Sequence, residues 1–312
     1  MGQGPLVVAF GECMLELQGQ AFGTMRQTFG GDTLNTAVYL ARCGRAQGLT
    51  VAYATAVGDD PLSQGLLDRW QAEGLGLQFV QRLPGRLPGL YLIEVDERGE
   101  RRFSYWRDQS AARAYFDAPT TPLEAQAERI DAFYLSGISL AILPEPGRER
   151  LFALAARLRA RGARIVFDNN HRPRLWPDAA TARAAHDRML ALTDIALLTL
   201  DDEMLLAGGR NPDVQLARSL ALPCPEVVVK RGAEPCWVRV AGQAPVAVPA
   251  EPVPRIVDTT AAGDSFAGAY LAARLRGEPA SDAARASHRL AARVIQHRGA
   301  LIPLEAMPHG PG

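Results

Sequence analysis

Cysteine, histidine and long apolar runs are scarce in this sequence, and each scarcity excludes a class of protein. The 312 residues include four cysteines, none in CxxC spacing, and five histidines, none in an HxxxH pair. We therefore expect neither a zinc site nor a disulfide framework, and interpret the cysteines as small buried residues of a reducing compartment. No apolar run approaches the ~18 residues that a membrane-spanning helix needs.

Net charge and targeting signals are absent as well. Lys+Arg 34 balances Asp+Glu 34, which excludes the strongly basic surface of a typical nucleic-acid binder. The N-terminal residues have no basic stretch followed by an apolar one, and Leu6 stands where a myristoylation signal needs Ser or Thr. We predict a cytoplasmic protein whose partners are small molecules, with no nucleic-acid and no membrane partner.

The common nucleotide-binding signatures are also missing. The sequence has no GxxxxGKS/T phosphate loop, no GxGxxG after the first predicted strand, and neither the HRD nor the DFG motif of protein kinases. The missing glycine fingerprint argues against a nicotinamide enzyme. Any phosphate site in this protein must therefore be built from residues outside these known motifs.

Short apolar runs typical of strands alternate with amphipathic stretches typical of helices. The predicted strands are Leu6–Phe10, Thr50–Ala54, Gly76–Val80, Ala132–Leu135, Arg164–Asp168, Ile195–Leu198 and Val227–Lys230. The predicted helices lie near Leu34–Cys43, Ser63–Glu73, Arg148–Arg161, Thr181–Leu192, Gly263–Arg276 and Ser281–Gln296. This order predicts an α/β fold with a mostly parallel central sheet covered by helices on both faces, in one domain spanning residues 1–312.

One region departs from this alternation. Gly89–Asp96 and Glu100–Arg107 flank a short turn that contains Gly99, which predicts a β-hairpin. Alternation along the second strand places Phe103, Tyr105 and Arg107 on one face. From pattern alone, a lid over a ligand and an edge hairpin that packs on the core are equally good interpretations.

The strongest candidate for chemistry is Asp258-Thr-Thr-Ala-Ala-Gly-Asp264, where a turn of small residues runs into an amphipathic helix. Small residues let backbone amides approach a ligand, and a helix N-terminus attracts anions through its unpaired N–H groups. Asp264 would take a proton from an attacking hydroxyl beside the bound phosphate. The alternative is that Asp264 only caps the helix and that the alanines only pack.

Three further polar segments adjoin predicted strands or helices. The glycine pair of Phe29–Ala37 precedes a helix, while Phe167–Trp176 and Val227–Ala233 reach the carboxyl ends of strands, where open α/β sheets bind ligands. Each segment alone also fits an ordinary turn or a solvated loop.

Taken together and in this order, the segments resemble the ribokinase-like (PfkB-type) carbohydrate kinases. The first family signature resembles Gly30-Gly-Asp-Thr-Leu-Asn-Thr-Ala37, and the second resembles Asp258-Thr-Thr-Ala-Ala-Gly-Asp264. The resemblance implies a ribokinase-like three-layer sandwich with a small β lid, formed by segments near residues 13–30 and 86–108. A homo-oligomer formed through the exposed edge of that lid is a further expectation.

The resemblance also implies a role for each candidate residue. Asp264 is implied as the general base, and the backbone amides of Ala261, Ala262 and Gly263 as an anion hole. The residues implied in substrate binding are Gly31, Asn35, Tyr91, Tyr105, Arg107, Arg172 and Asp264. Those implied in ATP binding are Asn170, Lys230, Gly232, Ala261 and Gly263, with Glu203 implied in binding the accompanying Mg2+.

Within the family, several segments resemble the members that phosphorylate a sugar acid, 2-keto-3-deoxygluconate, at its terminal (C6) hydroxyl. These segments are Gly11–Leu17, Leu87–Tyr91, Tyr105–Arg107, Leu135–Ser139, Asp168–Trp176, Leu198–Glu203 and Ile295–Ala300. A substrate carboxylate favours a planar guanidinium, and Arg107 and Arg172 are the candidates. Closure of Arg107 over the substrate would order the lid and exclude water.

Two positions depart from the family pattern. Ala261 replaces the first glycine of the usual Gly-Ala-Gly-Asp, and we expect activity to survive because a methyl group costs little where φ is negative. Leu200 replaces the asparagine of the usual Asn-x-x-Glu metal motif, which retains Glu203. Asp201 and Asp202 are the candidates to supply the missing oxygen.

Two other functions stay open at this point. A kinase of a neutral sugar or a nucleoside would share Asp264 and the anion hole, so that a panel of substrates separates it from a sugar-acid kinase. A catalytically silent sugar sensor on the same fold would keep ligand binding in an Asp264→Asn variant. A kinase would lose turnover in that variant.

Overall fold

A computed structural model describes residues 4–95 and 101–308, and the elements within them are numbered in chain order. The strands are β1 Leu6–Phe10, β2 Met14–Gly19, β3 Met25–Gly30, β4 Thr50–Val57, β5 Gly76–Arg82, β6 Gly89–Val95, β7 Arg101–Trp106, β8 Ala132–Ser136, β9 Arg164–Asp168, β10 Ile195–Thr199, β11 Glu226–Arg231, β12 Glu234–Val240 and β13 Val246–Val248. The helices are α1 Asp32–Gly44, α2 Pro61–Ala72, α3 Pro122–Ala125, α4 Gly137–Ile142, α5 Glu145–Ala160, α6 Ala179–Leu190, α7 Leu200–Ala207, α8 Pro212–Leu220, α9 Ala262–Leu275 and α10 Ala280–Val294.

The large sheet has nine strands among the described residues, in the order β13-β12-β11-β10-β9-β8-β1-β4-β5. All neighbouring pairs from β11 to β5 are parallel, while β12 and β13 add an antiparallel edge. Runs such as Leu6–Phe10 are wholly buried, as expected for strands covered on both faces. The mostly parallel sheet predicted from the sequence is therefore confirmed.

Helices cover both faces of this sheet and complete a three-layer sandwich. Apolar side chains of α5, α6 and α7 form one core against the sheet, around Phe10, Phe133 and Phe167. The second core lies on the opposite face, where α1, α2, α9 and α10 bury Tyr53 and Trp70, among others. The predicted three-layer sandwich is thus confirmed. In the described part of the chain, no helix is both long and apolar enough to cross a membrane.

A smaller, mixed sheet has the order β3-β2-β6-β7. Strand β2 pairs antiparallel with β3 and parallel with β6, and β6 pairs antiparallel with β7. Its strands come from the two segments that the sequence suggested for a lid. The turn expected at residues 96–99 lies outside the described residues.

Candidate active site

Polar side chains from neighbouring parallel strands meet the N-termini of two helices at one edge of the large sheet. Strand β9 ends at Asp168, β10 leads into α7, and β11 ends beside Lys230. Side chains also connect the loop after β9 to the start of α1, and α1 to the first turn of α9. This is the carboxyl edge of the sheet, where open α/β folds bind their ligands.

Asp264 lies in the first turn of α9 and is held by Asn35 of α1. The Asn35 side-chain amide donates to Asp264 Oδ2 at 2.8 Å. Burial, followed by the negative charges of Asp32 and Asp168, raises the pKa of Asp264 to about 8, against the Asn35 hydrogen bond and the Lys230 charge, which lower it. A carboxyl group whose pKa lies this close to neutrality is suited to accept a proton from a hydroxyl.

The N-terminus of α9 supplies backbone donors beside Asp264. Among the described residues, no acceptor is found for the amides of Gly263 and Asp264, as the first turn of a helix requires. The Ala262 amide, by contrast, donates to Thr259 O at 3.2 Å. Of the three amides predicted as an anion hole, that of Ala262 is therefore already engaged within the turn.

Ala261 has φ +60 and precedes the helix in the left-handed conformation. The expectation that its φ is negative was wrong. An alanine in this conformation carries a steric cost of about 1–2 kcal/mol, because its Cβ lies too close to the following carbonyl oxygen. The strain stands next to the amides that face the crevice, which is where strained backbone commonly persists.

Lys230 and Asp168 form a buried ion pair beside that turn. Lys230 Nζ lies 2.7 Å from Asp168 Oδ2, and the two residues are 9% and 5% exposed. Burial raises the pKa of Asp168, and Lys230 opposes this shift. The same Nζ would lie 3.5 Å from a Cβ added at Gly263, so the ammonium group adjoins the N-terminus of α9.

Asn170 and Gly232 complete the set that the resemblance assigned to ATP. The Asn170 side-chain amide donates to Asp32 Oδ2 at 2.6 Å, which ties the loop after β9 to the start of α1. Gly232 follows β11 at φ +62, a conformation that favours glycine. A role for either residue in binding ATP stays a prediction.

Glu203 is buried at the start of α7 and is satisfied by a residue that the sequence interpretation overlooked. Asn169 Nδ2 donates to Glu203 Oε1 at 3.0 Å, and burial raises the pKa of Glu203. Leu200 is buried in the core and offers no oxygen to this site. Asn169 thus holds Glu203 in place, while its own Oδ1 accepts from the Thr199 and Asn170 amides. That Asp201 or Asp202 supplies the oxygen of the missing asparagine stays a prediction.

The oxygen ligands at this edge fit a magnesium ion that arrives with a nucleotide. Mg2+ keeps several waters and takes phosphate oxygens, so that one or two carboxylates from the protein suffice. Asp202 and Glu203 stand in the first turn of α7, and Asp32 and Asp168 lie near Lys230 and Asp264. No group of three or more His, Cys, Asp or Glu in the described residues forms a metal cage by itself.

The small sheet presents aromatic rings at the other side of the crevice. The Tyr91 hydroxyl donates to the carboxylate of Glu16 on β2, and the Tyr91 ring stacks on Tyr105 with centroids 5.9 Å apart. Burial raises the pKa of Tyr91, and Glu16 adds to the shift. A Cβ at Gly30 would lie only 3.0 Å from the Tyr91 hydroxyl, which places that hydroxyl at the glycine pair before α1.

Gly31 is required by close packing rather than by its dihedral angles. Its backbone is extended, but an added Cβ would lie 2.2 Å from Glu12 O. The chain after β1 therefore touches the chain before α1. This contact brings Glu12 to the base of the small sheet.

Arg107 is buried at that base and is paired with Glu12. Its Nε donates to Glu12 Oε2 at 2.9 Å, and Nη2 donates to the same oxygen. Arg107 is 8% exposed and Glu12 is 2% exposed, whereas Tyr105 on the preceding strand is exposed. The structure therefore shows Arg107 anchored to the segment that follows β1 rather than standing free on an open hairpin.

Arg172 occupies a different and more open position. Its Nη1 donates to His171 O at 2.8 Å and lies 3.3 Å from Asp202 Oδ1. About half of its side chain is exposed. The two arginines proposed to bind the substrate carboxylate are thus held by different acids, Arg107 by Glu12 and Arg172 by Asp202.

Three acids of the site were not assigned a role from the sequence: Glu12, Glu16 and Asp168. All three stand within segments that carried the resemblance, yet their spacing gives no sign of the partner that each one meets. Asn169 is a similar case, because its neighbour Asn170 offers the same chemistry. Only the fold decides which of the two reaches Glu203.

Comparison with known proteins gives the family to which this fold belongs. The chain belongs to the pfkB family of carbohydrate kinases, whose family model matches residues 5–307. It is 49% identical over 305 residues to the 2-dehydro-3-deoxygluconokinase of Dickeya dadantii, covering 97% of this chain and 98% of the relative. The Escherichia coli K12 enzyme of the same name is 48% identical with the same coverage.

Solved structures show the same fold. An Escherichia coli protein described as a ribokinase II, solved in complex with ATP and Mg2+, has a TM-score of 0.82 and is 24% identical. The match covers 98% of this chain and 96% of that chain.

Proposed function

We propose that this protein transfers the γ-phosphoryl group of ATP to the C6 hydroxyl of 2-keto-3-deoxygluconate, also called 2-dehydro-3-deoxygluconate. The products are 2-keto-3-deoxy-6-phosphogluconate and ADP. The observation that carries the proposal is Asp264, held by Asn35 at 2.8 Å beside the open amides of α9. The substrate follows from the shared name of the two relatives that are 49% and 48% identical over nearly the whole chain.

In this mechanism Asp264 removes the proton of the C6 hydroxyl as its oxygen attacks the γ-phosphorus. The Gly263 amide and the dipole of α9 stabilise the charge on the phosphoryl oxygens. Magnesium supplies shielding of the phosphate charge, as expected in phosphoryl transfer. Glu203 and Asp202 are the acids that would hold it with the nucleotide, and a relative of the same fold was solved with ATP and Mg2+.

The sugar acid would lie between α1 and the small sheet. Asn35, Tyr91 and Tyr105 offer hydrogen bonds and an aromatic wall to its hydroxyl groups, while Arg107 and Arg172 offer charge to its carboxylate. Because Glu12 occupies one edge of the Arg107 guanidinium, the substrate carboxylate would take donors that Glu12 leaves open.

In the same proposal, the chain acts as one kinase domain with the small sheet as its lid. Phe103, Tyr105 and Trp106 on β7 are exposed, which favours a homo-oligomer formed through that sheet. A cytoplasmic location, where ATP is abundant, belongs to the proposal as well. Sedimentation of the wild-type protein and of a Phe103→Ser, Trp106→Ser variant tests the assembly, which is expected to dissociate in the variant.

One observation favours a second function, the phosphorylation of a neutral sugar. Glu12 neutralises Arg107, so this side of the pocket carries less positive charge than the sequence suggested. A neutral substrate would need no unpaired guanidinium.

Identification of the product tests the proposal. Incubation with Mg2+, ATP and 2-keto-3-deoxygluconate should give a monophosphate whose phosphorus couples to the C6 protons in the NMR spectrum. The Asp264→Asn variant should bind the sugar acid and form no product. Phosphate at another carbon, or equal product from the variant, would contradict the assigned chemistry.

A further inference from the structure

Lys230 is the only lysine in the 312 residues. The chain has 34 cationic Lys and Arg side chains, and 33 of them are arginine. Every other position that needs a positive charge, buried or exposed, has a guanidinium. The one ammonium group stands at the carboxyl end of β11, inside the candidate active site.

The position of Lys230 is tightly defined. Strand β10 lies between β9 and β11, so that Lys230 crosses above it to reach Asp168 at 2.7 Å. Both residues are nearly excluded from solvent. A buried charge is costly unless it is paired, and this ion pair therefore fixes the ammonium group at one point of the crevice.

That point adjoins the place where a phosphoryl group would be transferred. The ammonium nitrogen lies 3.5 Å from the Cβ position of Gly263, whose amide has no acceptor among the described residues. Asn35 Oδ1, beside Asp264, is buried and also lacks a partner in the described part of the chain. An open amide donor of α9 thus adjoins the ammonium group of Lys230.

The surroundings of the ammonium group are otherwise negative. The negative charge of Asp32 raises the pKa of both Asp168 and Asp264, and the positive charge of Lys230 lowers both. A phosphate group entering this space meets three carboxylates. The carboxylates repel the negatively charged phosphate. A fixed cation at the N-terminus of α9 offsets this repulsion at the phosphoryl group that is being transferred.

We propose that Lys230 is a catalytic residue that binds the transferring phosphoryl group beside the Gly263 amide, and that Asp168 is the positioning residue that holds its ammonium group there. This inference rests on the proposed kinase function and deepens it.

The step balances without a further reactant. A bond forms between the substrate hydroxyl oxygen and the γ-phosphorus, and the bond from that phosphorus to the bridging oxygen of ADP breaks. The electron pair of the broken bond stays on ADP, and the hydroxyl proton passes to Asp264. Lys230 remains protonated and contributes charge only.

The choice of lysine follows from its shape. An ammonium group is a compact point charge with three donors, whereas a guanidinium is a wide planar fork. A position 2.7 Å from Asp168 and 3.5 Å from the Gly263 Cβ position leaves room for the smaller group. Arginine, which the chain uses everywhere else, would displace either the phosphoryl group or the turn.

Kinetics of four variants tests the inference. Lys230→Met should lower kcat by about 100-fold or more, as loss of a preorganised donor to a transition-state charge does, with a much smaller change in the KM of the sugar. Lys230→Arg should recover less than a tenth of the lost kcat. Asp168→Asn should lower kcat by about tenfold.

Arg274→Met is the matched control. Arg274 is half-buried and forms an ion pair with the buried Glu226, which lies at the opposite end of the same strand, at the amino edge of the sheet. This variant removes one positive charge and leaves one buried acid unpaired, far from the crevice. Its stability should fall while its kcat remains that of the wild type.

A second measurement uses the wild-type protein, so it tests the inference even if a variant fails to fold. Protein labelled with 15N-lysine has a single Nζ resonance, which belongs to Lys230. With Mg2+ present, the β,γ-methylene analogue of ATP should shift this resonance more than ADP does, because only the analogue carries a γ-phosphoryl group. In Asp168→Asn the resonance should move before any nucleotide is added.

The outcomes separate the two proposals. If the wild type phosphorylates the sugar acid but Lys230→Met keeps its kcat, or the analogue and ADP shift the resonance equally, the role of Lys230 is refuted and the kinase function stands. If the wild type phosphorylates no sugar at all, the proposed function fails, and the inference that rests on it fails too.

Discussion

The side-chain amide of Asn35 donates to the carboxylate of Asp264 at 2.8 Å, although the two residues are 229 positions apart in the chain. The bond joins the first turn of α1 to the first turn of α9, and so connects the two motifs that carried the resemblance to the family. The bond also lowers the pKa of Asp264 and so favours its charged form, whereas burial and the nearby acids raise that pKa. Asn35 thereby sets the pH range in which the proposed base is active.

The first prediction concerns that pH range. Because a general base must be deprotonated, kcat/KM should fall tenfold per pH unit below a pKa of about 8 and level off above it. Asn35→Ala removes a hydrogen bond that lowers the pKa of Asp264. The acid limb of the kcat/KM profile, where activity falls with falling pH, should therefore move to higher pH. Asn211→Ala, which removes a cap of α8, should leave the limb in place. An unchanged limb in Asn35→Ala would contradict the assignment of Asp264.

A second prediction follows from the same pKa, now for stability. The folded pKa of Asp264 is raised from the ordinary 3.8 to about 8, so the charged form is disfavoured in the fold. The cost is absent below about pH 4, grows as the pH rises to about 8, and is then constant. Asp264→Asn should therefore raise the Tm by about 2–4 °C at pH 8, with the difference vanishing near pH 4. A lower Tm for the variant at pH 8 would show that Asp264 is not held in an unfavourable state.

The third prediction concerns the ion pair between Arg107 and Glu12. Arg107→Ala should raise the KM of the sugar acid about ten- to a hundredfold, the effect of losing one charge-assisted bond. It should also destabilise the protein by about 3–5 kcal/mol, because Glu12 is left buried and unpaired.

The double variant Arg107→Ala, Glu12→Ala separates these effects. Stability should recover in large part, since the unpaired charge is gone, while the KM stays high. If the double variant regains the wild-type KM, Arg107 does not read the carboxylate and serves only to hold the small sheet on the core.

The fourth prediction concerns the backbone at Ala261. Ala261→Gly relieves a left-handed alanine but adds freedom to the unfolded chain, so the net gain in the free energy of unfolding should be up to about 1 kcal/mol. Urea denaturation measures the difference. Ala217→Gly, in the middle of α8, should instead lose about 1 kcal/mol. A loss of similar size in both variants would contradict the left-handed conformation at residue 261.

The sequence predicts those features that depend on local pattern. Leu6–Phe10 and Arg164–Asp168 were predicted with the bounds that the structure has, because buried parallel strands have continuous apolar runs. Asp264 was predicted at the start of a helix because a turn of small residues precedes it. These signals lie within a few neighbouring residues.

Features that depend on long-range contacts were missed or wrong. Nothing near Arg107 indicates that Glu12, 95 positions earlier, pairs with it. The sign of φ at Ala261 depends on how the turn reaches α9, and the residue type suggested the opposite. Asn169 and Asn170 are identical in chemistry and adjacent, so only the path of the loop sends one to Glu203 and the other to Asp32.

The central claim is that this protein phosphorylates a sugar acid, and ADP release over a panel of acceptors tests it most directly. The panel contains 2-keto-3-deoxygluconate, its galactonate epimer, gluconate, fructose, ribose and adenosine, each with ATP and Mg2+. We predict turnover confined to the keto-deoxy acids and abolished in Asp264→Asn. Turnover on fructose, ribose or adenosine with none on the acids would contradict the claim, and would leave Arg107 and Arg172 without the role assigned to them.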